Sequence, residues 1–358
     1  MAYLIPIVLL LLGLISPKSR WITYAFVVYF WILMGFNTYT PDYEEYEKTY
    51  YAFYLYDYYE KGFWGLCALG NILGLSFQEF RILYAGIFSF FTLLAAKRLS
   101  PYPNCVLALF LLWPFVPGVS GIRQTMANMI MCCGLPCLFK QGKMQIVKYV
   151  LWILLAWSIH QSSLFFLLFI FSRREFGARE KRLIIIIVLL GVFIMSGSRL
   201  LGDILALSDN HKLDKWLNIN GDQNVPHPNL AGFSIRAFLV CLYAYLVPRM
   251  RSIIMRYGTI DDMTNKRLLV CSNVSIILLL SIPGFVVTAE FQRFMYASLI
   301  IYYVVFAEFY YTKNICKHKL HKRIVILSYV SVFLTIWYYW FSMRNHDLLA
   351  TFTDNLLF

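Results

Sequence analysis

Charge is scarce in this sequence: 14% of its 358 residues are Asp, Glu, Lys or Arg, against about 25% in ordinary soluble domains. The shortage runs along the whole chain and leaves no polar segment long enough for a separate soluble domain. The motifs of soluble chemistry are missing too. There is no Walker A loop, no GxGxxG after a strand, no HExxH and no GxSxG, so nothing suggests a nucleotide-driven step and no cofactor is called for. The eight cysteines, Cys67, Cys105, Cys132, Cys133, Cys137, Cys241, Cys271 and Cys316, mostly lie inside apolar runs. That excludes a disulfide framework and zinc-ligand spacing. No basic residue precedes the first apolar run, 3–15, and no small-residue cleavage site follows it. A signal peptide needs both, so the run is read as an uncleaved first span with the N-terminus outside the cytoplasm.

What is abundant is apolar. Sixty per cent of the residues are hydrophobic, with 30 Phe, 26 Tyr and 9 Trp, and the mean hydropathy is +0.62. Tyr and Trp suit a bilayer interface, where one end of the ring is wet and the other apolar. The net charge of +13 does not point to nucleic acid, because the basic residues sit in short loops between apolar runs and leave no basic face for a duplex. The expected fold is all-α: a polytopic membrane protein, one membrane domain over 1–358. About ten spans fall near 3–15, 21–36, 81–96, 99–117, 124–139, 183–201, 232–248, 268–288, 293–311 and 324–341. Two polar segments, about 37–80 and 202–231, are expected on the outer face.

The stretch 149–171 needs a separate reading. It is long enough for one span, but Ser158, His160, Gln161, Ser162 and Ser163 interrupt its middle, and basic residues flank both ends. Basic loops prefer the cytoplasm, so the chain enters and returns on one side. The spacing predicts a re-entrant hairpin of two short helices with His160 at the tip. Each arm of about 11 residues would be ~16 Å long, half the membrane. With the hairpin, 22 of the 32 Lys and Arg residues fall in cytoplasmic loops. Without it, the loops at 249–267 and 313–323 would face outward.

In that topology Asp42, Glu60, Arg123, His160, Arg236, Glu290 and Arg293 fall on the outer side and suggest one polar cavity opening outward. Arg123 and Gln124 follow a Gly-rich break, PGVSGIRQ. A guanidinium at a helix N-terminus suits a phosphate, and an arginine there equally suits snorkelling to lipid phosphate. Arg293 after Glu290 reads as an anion ligand or a local ion pair. His160 reads as a general base near neutral pH or as a hydrogen-bonded structural residue. Asp42 and Glu60 are single carboxylates in a segment that holds several others, with no metal-ligand spacing.

Five pieces resemble the EpsG-type polysaccharide polymerases, a branch of the Wzy-like polymerases of bacterial O-antigen, capsule and exopolysaccharide. They are PDYEEYEKTYY with Asp42, Tyr43 and Tyr46; YEKGFWGL with Glu60 and Gly62; SGIRQTMA with Gly121, Ile122, Arg123, Gln124 and Ala127; SIHQSSLFFLL with His160 and Ser162; and, more loosely, EFQRFMYASL with Arg293. The first departs from the family's loop in being so acidic. The resemblance implies glycosyl transfer outside the bacterial cytoplasmic membrane, without a metal. A glycan on undecaprenyl diphosphate is the donor and one lipid-linked repeat unit is the acceptor. The implied partners are the bilayer, that lipid-linked oligosaccharide, a chain-length regulator and a flippase. Arg123, Arg293, Gln124 and Arg236 would hold the diphosphate. His160 would be the base, with Glu60 or Asp42 next, and Tyr46 and Ser162 would assist. A flippase or transporter of lipid-linked sugars is the alternative, but no inverted repeat supports it. A membrane acyltransferase would need its histidine on the cytoplasmic side, and a non-catalytic scaffold would not need arginines at helix breaks.

Overall fold

Each apolar run folds as a helix, and local cap and turn chemistry sets where the helices begin and break. The computed structural model describes residues 4–55, 60–205, 230–287, 291, 293–312, 319–342, 352 and 354–357. Its helices are α1 (Leu4–Ile15), α2 (Arg20–Gly35), α3 (Tyr43–Tyr51), α4 (Lys61–Ile72), α5 (Phe77–Leu99), α6 (Pro103–Ser120), α7 (Ile122–Gly134) and α8 (Lys143–Ile159). A 3₁₀ arm (Gln161–Arg173) follows, then α9 (Ala178–Leu205), α10 (Leu230–Tyr257), α11 (Asp262–Val286), α12 (Arg293–Tyr311) and α13 (Lys319–Ser342). The turns between helices mark the ends of the bundle. Asn104 joins the α1–α2 turn to the start of α6 at one end, through its Nδ2 to Ser16 O at 2.6 Å and Ser19 O at 2.9 Å. Lys18 and Lys97 lie at that end, over the rings of Tyr102 at 4.7 Å and Tyr24 at 4.8 Å.

Caps explain two boundaries. Ser76 and Glu79 form a capping box, with the Ser76 N–H donating to Glu79 Oε2 at 2.7 Å. It starts α5 four residues before the expected 81–96 run. Asp261 accepts from the Thr264 N–H at 2.8 Å and starts α11. Hydrogen bonds from the Thr264 side chain and from its N–H hold the Asp261 carboxyl below its ordinary range. In α6 the helical geometry fails at Trp113 and Pro114, as expected where a proline lacks the N–H and clashes with the preceding turn.

Among the described residues, five helices are long and apolar enough to cross a membrane by themselves: Phe77–Leu99, Pro103–Ser120, Phe233–Tyr257, Asp262–Val286 and Phe294–Tyr311. Leu4–Ile15, Arg20–Gly35 and Gln161–Arg173 are shorter apolar helices. On α9, Leu183, Ile185, Ile186, Ile187, Leu189, Leu190, Phe193 and Ile194 are all exposed. A helix that turns bulky apolar residues outward on most of its faces fits lipid rather than water. Inside, α2 and α5 approach closely at Gly35, where a Cβ would come within 3.1 Å of Ala85 Cβ and Ile82 Cα. Small residues at such crossings are the usual means of close helix packing in membranes.

The stretch around His160 folds as an antiparallel pair. His160 is extended (φ −151°, ψ 123°) between α8 and the 3₁₀ arm. Tyr149 OH donates across the pair to Phe166 O at 2.7 Å, and Arg173 Nη2 at the far end reaches Lys140 O at 2.7 Å. The two basic flanks therefore meet at one end and His160 marks the other. The arms are longer than expected. The 17-residue α8 is about 25 Å long, and the 13-residue 3₁₀ arm is about 26 Å. Each nearly matches the ~30 Å hydrocarbon core. The difference arises because Lys143 and Lys148 lie inside α8, where long side chains can snorkel, and because a 3₁₀ helix rises faster per residue.

The polar segment 37–80 is not a loose loop. It folds as α3 and α4, and Tyr50, fully buried, donates to Leu75 O at 2.8 Å. Tyr51 and Tyr54 remain exposed. Residues 354–357 join this end, where Thr38 N–H donates to Asp354 O at 2.9 Å. Most of the second polar segment, 206–229, lies outside the described residues.

Candidate active site

At the His160 end, four elements bring polar side chains together. Gly121 ends α6 (φ −81°, ψ 60°) and lets α7 begin at Ile122, which places Arg123 and Gln124 in its first turn. Glu60 stands immediately before α4. Arg123 Nη1 meets Glu60 Oε2 at 2.6 Å. The other oxygen, Oε1, accepts from the Gln161 backbone N–H at 3.0 Å and lies 3.8 Å from His160 Nδ1. The Arg123 guanidinium is held between two rings, 5.3 Å from the centroid of Tyr46 and 5.3 Å from that of Phe63. Its Nε is 3.5 Å from Tyr46 OH. Cation–π contacts of this kind fix the plane of the fork. The Glu60 side chain is nearly buried, whereas Arg123 keeps 27% of its side chain exposed. Arg123 is thus the accessible member of the pair.

The histidine is tied into the same cluster. The Ser162 backbone N–H points at His160 Nδ1 at 3.2 Å. A backbone amide only donates, so Nδ1 accepts, and in the neutral ring the proton sits on Nε2. Ser162 Oγ lies 2.9 Å from His160 Nδ1 and donates to Gln124 Oε1 at 2.9 Å. Gln124 Nε2 continues the chain to Asn128 Oδ1 at 3.2 Å, one turn further along α7. Six side chains named from the sequence, those of Tyr46, Glu60, Arg123, Gln124, His160 and Ser162, therefore form one network from residues up to 116 positions apart. Among the described residues no group of three His, Cys, Asp or Glu side chains could hold a metal ion.

The EpsG family matches residues 20–353. The chain belongs to the EpsG family. That family is one of Wzy-like polysaccharide polymerases, and the long apolar helices agree with a multi-pass membrane member. No curated protein and no solved structure matches.

Within this EpsG-family chain, the described side chains of two other expected site residues, Asp42 and Arg236, stand outside the network. Asp42 is half-buried before α3, one turn from Tyr46, and its side chain makes no capping bond. Arg236 is buried on α10, and its Nε and Nη1 have no partner among the described residues. Arg293 opens α12, with its side chain outside the described set, and the next residue, Phe294, packs on Phe165 of the 3₁₀ arm with centroids 4.6 Å apart. Glu290 lies outside the described residues.

Sequence reasoning did not single out Phe63, Asn128 or Arg81. Arg81 is 2% exposed and lies 4.9 Å over the Tyr43 ring, with Nη2 donating to Met34 O at 3.1 Å. Burial lacks any sequence signal there. Asn128, at i+4 from Gln124, was findable from helical spacing.

Gly62 shows how tightly Glu60 is held. A Cβ there would lie 2.8 Å from Ser158 Cβ and 2.9 Å from Ser158 O, and closer still to Ser158 Oγ. Gly62→Ala is expected to push α4 off α8, to cost about 1–3 kcal/mol, and to cut polymer yield by moving Glu60. Ser158→Gly should restore part of both. Thermal unfolding of the purified variants and the glycan ladder of cells carrying them check this, and a Gly62→Ala protein with normal stability and ladder contradicts the packing argument.

Proposed function

We propose that the protein polymerises undecaprenyl-diphosphate-linked oligosaccharide repeat units at the outer face of the bacterial cytoplasmic membrane. The observation that carries this reading is the joining of Glu60, Arg123, His160 and Ser162 at the end of the bundle opposite the basic loops. Basic loops prefer the cytoplasm, and this supports a network on the outer side, where the lipid-linked units would be joined.

In this reading the acceptor hydroxyl attacks the anomeric carbon of the donor sugar. The bond from that carbon to the diphosphate oxygen breaks, and its electron pair leaves with undecaprenyl diphosphate. The hydroxyl proton passes to a base. Nδ1 of His160 already accepts from Ser162, whereas Glu60 Oε1 is held by one backbone N–H and keeps a second lone pair for a proton, so Glu60 takes the base role ahead of His160. Asp42 stays in reserve. Charge developing on the leaving oxygen is met by donors placed in advance. Arg123, oriented by Tyr46 and Glu60, and Gln124 supply the first. Glu60 already balances Arg123, so the leaving diphosphate calls for further positive charge, for which Arg236 and Arg293 are the candidates named from the sequence. Arginines take the place of a divalent cation in this scheme.

The test is deletion of the gene in its host, with wild type or Glu60→Gln re-supplied at matched protein levels. The expected result is polymer with wild type, and single repeat units on the outer leaflet with Glu60→Gln. Units trapped on the inner leaflet after deletion would make the protein a flippase and overturn the reading.

A further inference from the structure

We propose that a cavity at the basic end of the bundle binds a phosphate-bearing anion, either the headgroup of an anionic phospholipid or free phosphate. The cavity measures about 520 Å³ and lies between the exit of the 3₁₀ arm, the start of α9, the last turns of α10 and the middle of α11. Its polar lining includes Glu175, Lys181, Arg251, Ser252, Arg256 and Asn273. It lies at the opposite end from the Arg123–Glu60 network, beyond the point where Arg173 ties the two arms together.

Basic residues at this end have an ordinary explanation in topology, but that explanation requires only water-exposed charge in loops. It does not account for cations from two helices converging on one concavity. Nor does it account for Arg251, whose side chain is only 17% exposed. Arg251 Nη1 pairs with Glu175 Oε1 at 3.0 Å, while its Nε is buried with no partner among the described residues. A guanidinium held by one carboxylate with a second edge unmet is poised for another acceptor.

The chemistry of that acceptor follows from the lining. Three cations against one carboxylate repel a metal ion and attract an anion. Arginine forks match phosphate oxygens two at a time. The volume exceeds one phosphate and falls in the range of small-molecule pockets, which leaves room for the glycerol part of a headgroup. Asn273 Nδ2 donates to Ser172 O at 3.0 Å and Arg174 O at 2.7 Å, so the wall that carries Glu175 is fixed rather than loose.

The experiment is native mass spectrometry of the full-length protein in neutral detergent. Phosphatidylglycerol, phosphatidylcholine or inorganic phosphate is added to each sample. Wild type is expected to retain phosphatidylglycerol over phosphatidylcholine, and each basic residue removed from the lining should lower retention about fivefold. Arg251→Gln/Arg256→Gln carries the largest loss. Lys181 is exposed, so Lys181→Gln keeps the fold and gives the smaller loss if the double variant aggregates. Inorganic phosphate bound with the same dependence on Arg251 and Lys181 assigns the site to free phosphate rather than lipid. Retention unchanged by Lys181→Gln and by the double variant overturns the proposal. Equal losses from Lys322→Gln/Arg323→Gln, two exposed residues outside the lining, overturn it as well, since they would reflect net charge alone.

Discussion

Arg123→Lys is expected to cut polymer yield by about a hundredfold, the loss that follows removal of one preorganised donor facing a developing anion, with the protein still folded. Lysine keeps the positive charge, so Glu60, nearly buried at 2.6 Å from Arg123 Nη1, is not left alone. It loses the planar fork that lies between Tyr46 and Phe63 and that matches a diphosphate on two edges. Arg123→Ala is the less informative variant, because stranding a buried carboxylate costs about 3–5 kcal/mol and confuses folding with chemistry. The pair Arg123→Leu/Glu60→Leu removes both charges and controls for stability. The readout is glycan length on a gel from a deletion host, with each variant at equal abundance. A Lys variant with a normal ladder would show that any cation suffices there, as snorkelling to lipid phosphate requires, and would remove Arg123 from the site.

The legible parts of this molecule are those set by local chemistry. The run 293–311 matches α12 residue for residue, because a nearly all-apolar stretch folds as a helix in a bilayer, and its one acidic residue, Glu308, is met by Arg267 at 2.7 Å. The hairpin was readable from polar residues at 158–163 between two basic flanks. Its depth was not, since a lysine inside a helix and a lysine in a loop look alike in sequence and differ only in where the stem runs. The contact from Glu60 to Arg123 spans 63 positions, and no periodicity encodes such a pairing. Each residue was a candidate alone. Arg81 and Arg123 stand at similar places near helix starts, and only the fold separates one sealed under Tyr43 from one that keeps an open edge. Asp42 could not be ranked against its acidic neighbours from sequence, and the geometry sets it apart from the network while drawing Glu60 in.

His160→Asn separates structure from chemistry at the hairpin tip. His160 does one thing that any good cap does: it accepts the Ser162 N–H at the start of the 3₁₀ arm. Asparagine is among the best residues at such positions, and its side-chain oxygen stands in for Nδ1. The variant should therefore keep the arm, the Ser162–Gln124 link and the stability of the protein, whereas His160→Ala should lose about 1 kcal/mol with the cap. What asparagine lacks is the imidazole Nε2–H. If that proton serves the reaction, His160→Asn loses polymer by roughly 10²–10⁴-fold, the usual range for a positioned proton donor or acceptor, while its unfolding midpoint stays at the wild-type value. Gln124→Glu gives an independent check, because it places a charge on the acceptor of the Ser162 hydroxyl and disturbs the network without touching the ring. An Asn variant that polymerises at the wild-type rate would reduce His160 to a cap, and the chemistry would then rest on Glu60 and Arg123 alone.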